Sequence, residues 1–264
     1  MGISGLRDAS LRHPVVFALL STLALLLLYI VAGIVARVAS TGAVSHQVTE
    51  ASARLGAAAL VVWVIHRLGR TRESGVATLG SAWVWLLAAV AAVYRVFAHS
   101  YAFFGDLGLT FQSVPLSGAV ALNGSAAAVL EELAFRGAVL SVLLWCWAKL
   151  PGGVMRSVWL TAIVFGASHI VRLAMGQAAL TVGLLMLDST LAGVFYAALV
   201  LRGRSVWPAV AVHLALNAHI GARAVAVPGF EETVGAWVII LLSGLPLLAL
   251  GLHMLKGRVR VAGA

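Results

Sequence analysis

The chain has 264 residues, is 62% hydrophobic and only 10% charged, and carries a net charge of +9. A soluble domain of this length would carry roughly a quarter charged residues, so the composition excludes a soluble globular class and points to one integral membrane domain, 1–264. Basic residues stand singly or in small groups between apolar runs, which is the pattern of membrane topology signals rather than of a nucleic-acid surface, and the single Cys146 excludes an intrachain disulfide.

About 20 apolar residues are needed to cross a bilayer. On that scale the chain predicts an all-α, polytopic transmembrane helix bundle of about eight spans, near 15–36, 51–66, 78–98, 118–148, 156–173, 178–201, 205–224 and 233–255. The first run, Val15 to Ala36, is too long for a signal-peptide core and has no convincing cleavage site after it, so it reads as a retained span. The second is the weakest, with an uninterrupted apolar core only from Leu55 to Ile65. The fourth is long, and Ser117 to Ser125 reads as a loop or interfacial lead-in to it. Pro151-Gly152-Gly153 and Arg202-Gly203-Arg204 mark turns. With the N-terminus inside, twelve of the 18 Lys and Arg residues fall in inner segments and five, among them Arg54 and Arg95, in outer ones. This asymmetry predicts cytoplasmic N- and C-termini in the plasma (inner) membrane.

Three segments break the apolar pattern: Glu131-Glu132-Leu133-Ala134-Phe135-Arg136, Phe165-Gly166-Ala167-Ser168-His169 and His213-Leu214-Ala215-Leu216-Asn217. Ionisable groups inside spans are expensive and tolerated mainly where they pair or face a cavity. Adjacent helical residues point about 100° apart, so Glu131 and Glu132 meet different surroundings. Glu132 and Arg136 share a face in the favourable order for an ion pair. Two readings stay open for this segment: both glutamates pair with arginines to hold the bundle, or Glu132 pairs while Glu131 faces a chamber, where a desolvated carboxylate is a stronger base toward water. His213 and Asn217 lie one turn apart, as do Phe165 and His169. Either histidine alone suits a satisfied core hydrogen bond; an imidazole and an amide aimed at one point also suit an oxyanion.

In this order and inside apolar helices, the EExxxR, FxxxH and HxxxN motifs resemble the signature of the CAAX-protease and bacteriocin-processing family of intramembrane glutamic endopeptidases, which includes the type II prenyl-protein proteases. Ser205-Val206-Trp207-Pro208 is similar to the region leading into the third motif, and the resemblance covers a protease core at 121–222. It implies Glu131 as the base that activates water, His169 as a residue binding that water, and His213 with Asn217 as the oxyanion site. Glu132, Arg136 and Phe165 would support them. It implies no cofactor and a membrane-associated protein or peptide as substrate, met in the lipid bilayer. Two histidines and a glutamate would also suit zinc with an open position, although no HExxH is present. A non-catalytic immunity or scaffold protein is a second reading. A proton-relay transporter is a third, but it should show paired half-helices or inverted repeats, and neither is evident.

Among the remaining polar groups, Asp188 reads as a partner within the bundle or a chamber residue, Asn123 as a cap or a cavity residue, and His219 as interfacial. Glu231 and Glu232 would favour the start of the last span. The first three spans show nothing diagnostic. One expectation strains the site. At ~1.5 Å per residue, His213 lies roughly 12 Å from Ser205, His169 roughly 20 Å from Arg156 and Glu131 roughly 27 Å from Lys149. Catalysis therefore requires the helix ends to be staggered.

Overall fold

The computed structural model describes residues 11–106, 115–227 and 230–256. The two termini assigned to the cytoplasmic side fall outside the described residues. The described chain is helical, with α1 Pro14–Ala39, α2 Ala43–Arg67, α3 Ala82–Phe104, α4 Pro115–Glu132, a π-helical segment Leu133–Val139, α5 Leu140–Trp147, α6 Gly153–Ser168, a short α7 Val171–Ala174, α8 Ala179–Gly203, α9 Trp207–Ala226 and α10 Val234–Leu255. Among the described residues, seven helical stretches are long and apolar enough to cross a membrane, with α6 and α7 counted as one from Gly153 to Ala174. The fourth predicted span, 118–148, is the unbroken run from α4 through the π segment into α5.

Several predicted boundaries moved, two of them where polar residues found partners. α2 begins at Ala43 rather than 51, since Gln47 and Glu50 in its first turns bond to Asn123 of α4. α3 runs on to Phe104 because His99 and Ser100 are satisfied, His99 by the Arg95 carbonyl and Ser100 by His219 of α9. Ser117 and Ser125 lie inside α4 rather than in a lead-in loop, with the Ser125 hydroxyl donating to the Ala121 carbonyl. Arg54 and Arg95 are not outer-loop charges: Arg54 pairs with Glu50 inside α2, and Arg95 pairs with Asp188 between α3 and α8.

The motif helix is the centre of the bundle. Every residue from Glu132 to Leu144 is buried, as expected of a helix apolar on all sides. α9 and α2 pack along α4, and α8 packs along both α6 and α10. Outward faces are apolar, with Leu20, Leu27 and Ile34 of α1 and Leu242 of α10 exposed. Such a surface is a liability in water and is what lipid tails accept.

Close approach is set by small residues, as is usual inside membranes. The glycine of the second motif, Gly166, abuts α8: a Cβ there would sit 2.5 Å from the Met186 carbonyl oxygen. Gly166→Ala is therefore expected to push α6 off α8 and to destabilise the protein by about 1–3 kcal/mol, as overpacking of a tight core does. Thermal unfolding of the detergent-solubilised protein checks this; an unchanged Tm would mean that the contact is loose.

Candidate active site

The required stagger is present. α5 and α6 form a hairpin closed at Gly152, which has φ 69°. Equally far from that turn, Phe135 and Phe165 meet edge to face with ring centroids 5.2 Å apart. One turn beyond them, Glu131 and His169 come level. α9 enters at a different height. The Trp207 indole N–H donates to the Val76 carbonyl at 3.0 Å, and a Cβ on Gly137 would lie 3.9 Å from Val76 Cγ1. α9 thus starts level with Gly137, about ten residues or roughly 15 Å short of the end of α5, and the shorter reach to His213 suffices.

At that level the two glutamates part. The Glu132 side chain is fully buried. Its Oε1 accepts from Arg136 Nη1 at 2.9 Å and from His213 Nδ1 at 2.9 Å. Glu131 is 15% exposed and lines the cavity. Its Oε1 accepts from the Tyr29 hydroxyl at 2.5 Å, and its Oε2 lies 3.7 Å from His213 Nε2. That second distance is too long for a direct hydrogen bond. A water placed beside the pair would touch both atoms.

Both histidines have their tautomers set from outside the chamber. A carboxylate accepts only, so His213 Nδ1 carries a hydrogen toward Glu132 and Nε2 turns to Glu131. The Phe165 carbonyl accepts from His169 Nδ1 at 3.2 Å, which leaves His169 Nε2 as a lone pair. The His213 ring stacks on Tyr196 at 5.7 Å and meets Phe165 edge-on at 5.8 Å. Phe165 also carries the Arg136 guanidinium 4.2 Å above its ring, with Tyr196 at 5.4 Å on another side. Phe165 therefore supports both Arg136 and His213. Asn217 lies one turn beyond His213. Its amide lines the cavity and reaches the Gly124 carbonyl at 3.4 Å. A Cβ on Gly124 would sit 2.9 Å from the Asn217 carbonyl oxygen, so this glycine seats the third motif against α4.

The cavity holds about 570 Å³ and is lined by Glu131, His169, His213 and Asn217 together with Tyr29 and Arg54. All four predicted site residues and the three supporting ones are thus brought together. Sequence reasoning missed Tyr29, Tyr196 and the α2 residues Gln47, Glu50 and Arg54. A polar i,i+4 pair at the head of the weakest span was the available signal for Glu50 and Arg54; a lone tyrosine in an apolar run gave none. Asp188 is a bundle residue paired with Arg95, and it also touches the cavity. His219 is buried against Ser100 rather than interfacial. Glu232 pairs with Arg172 at 3.2 Å and accepts from the Trp237 indole at 3.2 Å, while Thr233 caps α10. Among the described residues, no three His, Cys, Asp or Glu side chains converge as a metal ion would require.

One cavity inside the bundle is thus lined by Glu131, both histidines and the Asn217 amide, with Glu132 buried behind His213. Residues 113–219 match the family model of type II CAAX prenyl endopeptidases, Rce1-like. This is the relationship carried by the three motifs, and the matched span contains all of them. No curated protein and no solved structure matches the chain. The chain is an integral membrane protein, and its segment 113–219 is similar to that of a protease family. α1, α2 and α3 lie outside the matched span, so the Rce1-like match says nothing of Tyr29, Glu50 or Arg54.

Proposed function

We propose that this protein is an intramembrane endopeptidase that cleaves a peptide bond of a membrane-associated protein or peptide with a Glu131-activated water. The observation that carries the reading is the split between the two glutamates. Glu132 is fully buried and paired, whereas Glu131 Oε2 faces both the cavity and His213 Nε2 at 3.7 Å. The water donates one hydrogen to Glu131 and the other to the His169 Nε2 lone pair. Its oxygen attacks the scissile carbonyl carbon as Glu131 takes the proton. The oxyanion accepts from the Asn217 amide, and from His213 when its Nε2 carries a hydrogen. Glu131 passes its proton to the leaving nitrogen, the C–N bond breaks, and a carboxylic acid and an amine result. No covalent intermediate forms, and Cys146, whose thiol points to the Leu11 carbonyl, takes no part.

The test compares protein termini in cells carrying the wild type and in cells carrying Glu131→Gln at equal membrane level. Termini seen only with the wild type are expected, and they name both the substrate and the bond. Identical sets, with candidate substrates expressed, would move the reading to a non-catalytic immunity or scaffold role. The reading uses a carboxylate rather than a bound ion to activate water, so a chelator is expected to leave the cleavage unchanged. Loss restored by zinc would replace it with a zinc-dependent protease.

A further inference from the structure

The candidate base is held from a helix that shows no motif. Tyr29 lies one turn after the buried Leu25 on the narrow inward stripe of α1. Its hydroxyl donates to Glu131 Oε1 at 2.5 Å, and the Ala127 carbonyl is 3.4 Å away. Behind the ring, the Arg54 guanidinium lies 4.6 Å from the ring centroid. Arg54 is itself clamped: Nη2 donates to Glu50 Oε1 at 2.5 Å, and Nη1 donates to Asn123 Oδ1 at 2.8 Å and to the Asn123 carbonyl at 3.3 Å. The Asn123 amide in turn donates to Gln47 at 2.6 Å and Glu50 at 2.9 Å. Three helices are therefore tied into one chain of contacts that ends on a single carboxylate oxygen.

We propose that Tyr29 is the positioning residue of Glu131 and that Arg54, clamped by Glu50 and Asn123, sets Tyr29. This rests on Glu131 acting as the base. The terminal torsion of a glutamate is broad, so a carboxylate facing a cavity turns unless one oxygen is held. Tyr29 holds Oε1, which leaves Oε2 as the one basic oxygen toward His213 and the water. The cation over the ring fixes the ring plane, a contact that is stronger when desolvated, and withdraws charge from the phenol, making it a better donor. Near-attack geometry is sensitive to displacements of about 1 Å, so a freely turning carboxylate lowers turnover without weakening substrate binding.

The test uses the full chain in detergent and a synthetic peptide spanning the bond identified by the comparison of termini. Tyr29→Phe keeps the ring and removes only the donor. Its kcat is expected to fall about 10- to 100-fold, the range for losing a hydrogen bond to a charged group, with KM unchanged. Arg54→Lys keeps the charge but not the planar contact, and its kcat should fall between the two. A Tyr29→Phe kcat equal to wild type, beside an inactive Glu131→Gln, overturns the positioning role alone; an active Glu131→Gln overturns the base on which it rests. An independent readout needs no turnover. The infrared difference between wild type and Glu131→Gln isolates the Glu131 carboxylate band, and Tyr29→Phe should shift that band. An unshifted band overturns the contact itself.

Discussion

Glu131→Gln is expected to lower kcat by about 100- to 10,000-fold, the usual worth of a positioned general base, with the Tm of the wild type. The amide is nearly isosteric, and its oxygen still accepts the hydroxyl of Tyr29, so the contact that joins α1 to α4 survives. Glu131 is 15% exposed to the cavity, so the substitution leaves no buried charge uncompensated. kcat and kcat/KM should fall by the same factor, since proton abstraction is made only in the transition state. His169→Ala in the Glu131→Gln background should cost little more, because both groups act on one water. Turnover of the reconstituted protein and a thermal melt check all three statements. Glu131→Gln turnover within threefold of wild type would remove Glu131 from the chemistry.

Legibility in the sequence followed the period of the residues. The helical bundle could be read because length and apolar composition are local properties. That Glu131 and Glu132 meet different surroundings could be anticipated because a 100° step on a helix needs no partner to be known. The partners themselves were not legible. That His213 Nδ1 would meet Glu132 rather than Glu131 depends on where α9 begins, and the loop holding Val76 against Trp207 fixes that start through long-range hydrogen bonds. The π segment Leu133–Val139, where the Leu140 N–H reaches back to the Phe135 carbonyl, leaves no mark in composition. It begins directly after the glutamate pair, and such widened turns recur at functional sites. Tyr29 and Arg54 were passed over for the same reason. Each is ordinary on its own helix and gains a role only when α1 and α2 close against α4.

The second large effect concerns folding, and it falls on Arg136. Its guanidinium is buried, gives one hydrogen bond to Glu132 at 2.9 Å and otherwise lies against the faces of Phe165 and Tyr196. Arg136→Met fills the space between the rings with an apolar, polarisable side chain but leaves the fully buried Glu132 with the His213 hydrogen bond and no guanidinium. Breaking one side of a buried pair costs about 3–5 kcal/mol, enough to lower the Tm of most domains by many degrees. Arg136→Lys should lie between, because an ammonium keeps the charge and loses the planar contact with Phe165. Adding Glu132→Gln to Arg136→Met should restore part of the loss, and the double-mutant cycle in thermal unfolding measures the coupling. Turnover need not return with stability. His213 would then donate to an amide oxygen instead of a carboxylate, which holds the ring less strongly. An Arg136→Met protein as stable as the wild type would show that the Glu132–Arg136 pair adds nothing to the fold.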